Sequence, residues 1–189
     1  MTIPRRTALL TLAGAALLPG ATLLPGTAWA ASARELSSKG QAALQRLYKV
    51  QPRARELGKK AVAILVFPDI VKAGLLIGGQ SGNGVLIKGG KSVAYYNISA
   101  ASFGLQAGAQ TFSYALFFMN NDALAYLDKS DGWAVGSGPS LVVADEGWAK
   151  SATSTTITQD VYAVPFGQRG LMAGVGIEGS KITRLNPDA

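Results

Sequence analysis

From position 61 onward the chain is a succession of short apolar runs broken by glycine, asparagine and serine, with too little helical periodicity for long helices. The pattern predicts strands at Ala61 to Phe67, Lys72 to Gly78, Gly84 to Lys88, Ser92 to Tyr96, Ser102 to Ala109 and Thr111 to Phe118. It predicts further strands at Gly132 to Ser137, Ser140 to Ala144, Ser154 to Thr158, Asp160 to Phe166, Leu171 to Glu178 and Lys181 to Leu185. Gly89-Gly90 reads as a two-residue hairpin turn. One helix interrupts the strands, capped by Asn121 or Asp122, with Leu124, Tyr126 and Leu127 as its apolar face through about Lys129. Gly-Leu-x-x-Gly recurs at Gly74, Gly104 and Gly170, each time inside an apolar run. Such glycines mark bulges or close backbone approaches, an architectural role and not a catalytic one. The expected fold is α+β, mainly β: a twisted antiparallel barrel-like or sandwich β-core with an amphipathic basic N-terminal helical segment and one or two short helices.

Residues 31–60 follow a different rhythm. Ser32-Ala33-Arg34-Glu35 has the form of a capping box, so a helix is expected to begin at Ala33. Leu36, Gly40, Ala43, Leu44, Leu47 and Val50 then form one apolar stripe, with Lys39, Arg46 and Lys49 on the other side. Pro52 restarts the chain as the first residue of a second short helix through Lys60. The bland expectation is a surface helix that packs its leucines on the body and solvates its lysines.

Before this segment, Arg5-Arg6 precedes an uncharged stretch from Thr7 to Ala30 that is rich in leucine and ends in Ala28-Trp29-Ala30. This is read as an export signal, residues 1–30, cut before Ala31. The paired arginines resemble a twin-arginine signal, although its usual phenylalanine is absent. The competing reading is an uncleaved anchor, which Pro19, Gly20, Pro25 and Gly26 disfavour as a continuous helix. Residues 31–189 are expected to form one exported domain, periplasmic or envelope-associated, with 61–189 as its β-rich body.

Charge is concentrated. The formal charge is +7, and residues 31–60 carry eight basic residues against Glu35 and Glu56, hence +6. Residues 61–189 carry eight basic against nine acidic residues, hence −1. Such asymmetry points to an anionic partner for the N-terminal segment. At an anionic bilayer each Lys or Arg adds about 1 kcal/mol of attraction. Nucleic acid fits less well, because the cluster lacks interleaved aromatics for base stacking.

Chemistry finds little support. Histidine and cysteine are absent, which removes the usual general base, the thiol nucleophile, most transition-metal ligands and any disulfide. Gly90-Lys91-Ser92 resembles the end of a phosphate loop, but Val85 stands where its first glycine belongs and a strand follows. The stretch Gly78 to Gly84 misses dinucleotide spacing, and Lys91 and Ser92, adjacent on a strand, point to opposite faces. Asp128/Asp131 and Asp145/Glu146 read as solvated pairs at loop or helix ends, not as a metal site. Trp133 and Trp148 read as core anchors in preference to interfacial aromatics. No enzyme activity, cofactor or metal is expected.

The runs Ala63-Ile64-Leu65-Val66-Phe67-Pro68, Val71 to Gly79 and Gly82-Asn83-Gly84-Val85-Leu86 resemble the opening of the SYLF domain. Ser102 to Gln110 is similar to that family's central strand, and Gly170 to Ser180 to its closing one. The resemblance implies a phosphoinositide- or anionic-lipid-binding module with a basic amphipathic N-terminal helix, used by eukaryotic relatives at membranes and on actin. It places the lipid-contacting role on Lys39, Arg46, Lys49, Arg53, Arg55, Lys59 and Lys60. The tryptophan-serine stretch of eukaryotic members is here Tyr95-Tyr96-Asn97-Ile98-Ser99, and no Src-homology-3 segment follows, so actin binding is not expected. The functional expectation is a non-catalytic lipid-binding protein of the cell envelope. The alternative is a periplasmic structural protein that docks an acidic protein or an envelope polymer.

Overall fold

The computed structural model describes residues 25–129, 132–144, 158–170, 177 and 179–185. Two helices open the described chain, α1 at Pro25–Val50 and α2 at Pro52–Lys60. Strand β1, Ala63–Lys88, and strand β2, Lys91–Phe118, form one very long hairpin. A short helix α3, Asn121–Ala125, continues into a 3-10 turn, Tyr126–Asp128. Strands β3 (Trp133–Ala134), β4 (Leu141–Val143), β5 (Val161–Gly170) and β6 (Lys181–Leu185) complete the sheet.

The sheet curls into a half-barrel and is mainly antiparallel, with the fold class expected from the sequence. β2 pairs with β1 along its length, with β6 through Tyr95–Ser99, and with β5 through Gln110–Phe118. β3 extends the β6 side, and β4 joins β5 as the one parallel pair among the described strands.

Three of the expected strands are thus a single strand, and so are the next three. The glycines that suggest breaks are instead the places where β1 bends back past itself. A Cβ on Gly84 would stand 2.5 Å from Phe67 Cδ1 and 2.9 Å from the Val66 carbonyl, and one on Gly82 would stand 2.6 Å from the Asp69 carbonyl. No side chain fits between those two arms, so glycine is what lets them close. The bend falls at the first two Gly-Leu-x-x-Gly copies, where Gly74 pairs with Gly108 and the register shifts between Leu75 and Ile77. The third copy lies outside the described residues except for Gly170, the last residue of β5.

The Gly89-Gly90 turn is as expected. Both residues have positive φ, 56° and 78°, as the favoured two-residue hairpin turns require. β6 also matches its expected span. Two other expectations are corrected. α1 runs through Ser32, so the capping-box reading fails: Thr27 to Ala31 contains no breaker and helix continues across it. The cap of α3 is Asn120, whose Oδ1 accepts from the Ala123 amide at 2.8 Å. Expected strands over 154–157 and 171–176 lie outside the described residues, as does Trp148.

The core has two layers because the central strands are buried on both faces. Leu65, Phe67, Tyr96, Ile98, Phe112, Tyr114, Leu116 and Phe118 point into the half-barrel, together with Trp133 and Ile182. Ile64, Val66, Val85, Ile87, Ala115 and Phe117 point outward and are covered by Ala43, Leu44 and Leu47 of α1 and Ala54 and Leu57 of α2. Trp133 is the core anchor expected, with its indole N–H donating to the Ser137 carbonyl at 2.9 Å.

Candidate functional site: a cationic surface on the N-terminal helices

The apolar stripe of α1 determines where its charges go. Gly40, Ala43, Leu44 and Leu47 are buried against the sheet, as the bland reading of the helix expects, and Leu36 is half-buried. Val50 departs from the expected stripe: it is 70% exposed, because the helix ends there and the chain turns away into α2. With the stripe buried, Lys39, Arg46 and Lys49 face solvent.

α2 is held to the end of α1 by Leu57 and Ala54, which join Leu47 in the outer core layer. Tyr48, which lies off the expected stripe, sits between the two helices, with the Arg55 guanidinium 5.8 Å from its ring centroid and its hydroxyl against Gly58. Half-burial pushes the Tyr48 phenol above its ordinary pKa, with the Arg55 charge acting in the opposite sense. No pattern of charge or periodicity singles out Tyr48. A tyrosine flanking an apolar stripe just before a proline-started helix is the only sequence signal for it.

The seven candidate cations divide by what surrounds them. Lys39 Nζ lies 2.8 Å from Glu35 Oε1, one turn back on the helix. Their hydrogen bond, then their mutual charge, raises the lysine pKa and lowers that of the glutamate. Lys59 Nζ lies 2.7 Å from Glu56 Oε1, and that hydrogen bond is the main reason the Glu56 carboxyl sits below its ordinary value. Both pairs are exposed and add little to folding stability. Arg53 is half-buried, and Arg55 stacks on Tyr48. Arg46, Lys49 and Lys60 are exposed and make no salt bridge among the described residues, although the Lys60 charge also acts on Glu56. Lys49, Lys59 and Lys60 also occupy last helical turns, where positive charge complements the helix dipole.

Arg46, Lys49 and the α2 cations therefore gather at one end of the helical layer. Lys39 stands apart, about 10 Å away at 1.5 Å per residue. It borders a groove of about 270 Å³ between α1 and β1, lined also by Ser32, Glu35, Leu36, Asp69 and Asn83. With two carboxylates facing one lysine, this groove has no anion-binding excess.

Among the described residues, no group of three His, Cys, Asp or Glu side chains converges to hold a metal. Asp128 is engaged by Arg184 at 2.9 Å. Lys91 is exposed, and Ser92 accepts from Gln41 Nε2 at 3.4 Å, so Gly90-Lys91-Ser92 is a hairpin shoulder. Asp131, Asp145 and Glu146 lie outside the described residues.

The arrangement is a curled β-ribbon with two cationic helices clamped to its outer face. Residues 99–187, just under half of the chain, match the family described as Las17-binding protein actin regulator, Ysc84. This is the SYLF-domain family that the motifs resemble, and residues 99–187 are similar to its model. The family is one of binding domains, lipid-binding and actin-regulating in eukaryotes. The matched span begins within β2 and includes none of the seven candidate cations. No curated protein matches the chain.

Proposed function

We propose that this is a non-catalytic protein of the cell envelope that attaches reversibly to anionic, phosphoinositide-like lipid through the cations of α1 and α2. The observation that carries this reading is the division of α1: its apolar face is spent on its own core, while Arg46 and Lys49 stand exposed with no ion-pair partner among the described residues. A helix so arranged offers charge, with Val50 as its one exposed large apolar residue among those whose burial is described. Attachment is therefore electrostatic and peripheral, without deep insertion. Among the described residues no helix is long and apolar enough to cross a membrane.

Export rests on the Arg5-Arg6 leader, with cleavage before Ala31. Cleavage there would cut α1 within its helical span and leave Ser32 in its first turn. In that compartment actin is not the partner, whatever the family's eukaryotic members bind. N-terminal sequencing of protein recovered from the envelope tests the processing: an amino terminus at Met1 would reject it.

The binding test is co-sedimentation with vesicles of phosphatidylglycerol and phosphatidylcholine, against phosphatidylcholine alone, across a salt series. Binding to the anionic vesicles only, weakening as salt shortens the screening length from about 10 Å at 0.1 M to about 3 Å at 1 M, supports the proposal. Binding of equal strength at both salts rejects the electrostatic account. Absence of vesicle binding favours the alternative, an acidic envelope protein or polymer as the partner.

A further inference from the structure

We propose that the hairpin Lys88-Gly89-Gly90-Lys91 is a second membrane contact, so that anionic bilayer is met by one end of the half-barrel as well as by the helices. This inference rests on the lipid-binding reading above and extends its surface into a segment whose overall charge, −1, conceals it.

The placement follows from the fold-back of β1. Gly82 lies against Asp69, and Gly84 against Phe67 and Val66, so the two arms run antiparallel with a fixed offset. Continued along both arms, that offset brings Lys88 level with Ala63 and the Gly89-Gly90 tip level with Ala61 and Val62. Those two residues directly follow Lys59 and Lys60 of α2. α1 points the same way: Gly40 sits on Val85, Gln41 bonds Ser92, and Leu44 and Leu47 share a cluster with Ile87 and Ile64. Arg46, Lys49, Lys59, Lys60, Lys88 and Lys91 are thereby carried to one end of the molecule. Among the described residues the carboxylates near that end are Glu56, already paired with Lys59, and Asp122 and Asp160, which flank α3 and the start of β5 on the far side of β2 from β1. Asp160 is already engaged by Ser140 and Asn120.

The hairpin is built for such a contact. Lys88 and Lys91 are direct register partners, and like charges in that position oppose pairing. Both are exposed, and neither has an acidic partner among the described residues. A side chain at Gly89 or Gly90 would meet nothing within 4 Å, so the tip projects freely and can approach a flat surface. Two ammonium groups on flexible stems suit a layer of phosphate headgroups better than one bidentate ligand, which arginine would serve.

The test uses the purified protein and the same phosphatidylglycerol/phosphatidylcholine vesicles at low salt, with the thermal midpoint recorded for every variant. Each lysine at an anionic surface is worth roughly fivefold in partitioning, so K88Q/K91Q is expected to bind about 25-fold more weakly. Lys181→Gln removes an equally exposed cation from β6, and its expected loss is under about twofold if position and not net charge decides. Lys91→Glu gives a second readout: it places opposite charges across the turn, so binding falls while the thermal midpoint holds or rises. The inference is overturned if K88Q/K91Q binds like the unaltered protein, or if Lys181→Gln costs as much per charge. If Arg46, Lys49 and Lys60 changed to glutamine abolish binding while the hairpin variant is silent, the lipid-binding reading stands and the hairpin contact falls. If the unaltered protein leaves every vesicle unbound, both fall.

Discussion

Gly40 of α1 rests on Val85 of β1 with no space for a β-carbon: one placed there would overlap Val85 Cγ1. Glycine in mid-helix costs about 1 kcal/mol relative to alanine, so Gly40 opposes the helix it belongs to. What offsets this is the close approach of α1 to the sheet, which buries Ala43, Leu44 and Leu47. Gly40→Leu is expected to destabilise the fold by about 1–3 kcal/mol through overpacking, despite leucine's better helix propensity. Val85→Ala in the same chain removes the colliding methyl, so the double variant should recover part of that loss. Urea denaturation of the four proteins in the cycle checks this, and additive losses would show that the two residues do not share the space.

The same contact shows what the sequence conceals. Gly40 falls on the apolar stripe by periodicity, so its facing is legible from spacing alone, as is that of Ala43, Leu44 and Leu47. β6 and the Gly89-Gly90 turn are legible because alternation and turn residues are local signals. The merging of strands into β1 and β2 is not. Gly82 and Gly84 look like breaks until Asp69 and Phe67, more than a dozen residues earlier, are known to lie against them. The start of α1 fails for the converse reason: Ser32 and Glu35 can form a capping box, but a cap is used only where the preceding residues leave the helix, and here they do not. In the site, charge asymmetry identifies the seven N-terminal cations. Lys88 and Lys91 stay hidden because the acidic residues of the body cancel them in any segment count.

Alkaline stability should depend on Tyr96. Its hydroxyl sits inside the half-barrel, and burial, reinforced by the Asp128 carboxylate, pushes its pKa up to about 12. Tyr114 is shifted upward too, by burial alone. Because the folded-state pKa lies above the ordinary value of about 10, the neutral phenol stabilises the fold fully below that pH. This contribution is lost as pH rises from about 10 through 12. Tyr96→Phe should flatten part of that alkaline limb. It should cost little at neutral pH, since the bond to Asp128 is long at 3.5 Å. Denaturation midpoints at neutral pH and along the alkaline limb, compared between the two proteins, measure the difference; identical limbs would assign the effect to Tyr114 and other groups.

Asp160 ties three elements at the other side of the sheet. Its carboxylate accepts from the Asn120 amide at 2.7 Å, the Ser140 amide at 2.9 Å and the Ser140 hydroxyl at 2.8 Å, and these bonds lower its pKa, the backbone bond foremost. With the folded pKa depressed, this contribution is present above the unfolded carboxyl pKa of about 3.9 and disappears as pH falls through the folded value. Asp160→Ala is expected to lose about 1–2 kcal/mol at neutral pH, since the Asn120 cap of α3 and the loop before β4 both lose an acceptor. Its stability should then fall less steeply between neutral and acid pH than that of the unaltered chain. Parallel acid limbs in the two proteins would contradict the assignment.

The pairing of cations on the helices predicts an unequal response to charge removal. Lys39 and Lys59 are each held beside a glutamate, so the local field they present is largely cancelled before any lipid approaches. Arg46, Lys49 and Lys60 make no such salt bridge among the described residues, Lys60 acting on Glu56 only as the weaker of its two lysines. Changing those three to glutamine should weaken binding to anionic vesicles by roughly 100-fold at low salt, taking about 1 kcal/mol for each charge. Changing Lys39 alone should have a smaller effect than changing Arg46 alone, because it also stands apart and faces Asp69 across its groove. Glu56→Gln is the sharper experiment, since it frees Lys59 at the crowded end and should strengthen binding by up to about fivefold. This gain must vanish at about 1 M salt, where the screening length falls to roughly 3 Å. A gain that survived high salt, or no gain at all, would mean that the end of α2 does not face the bilayer.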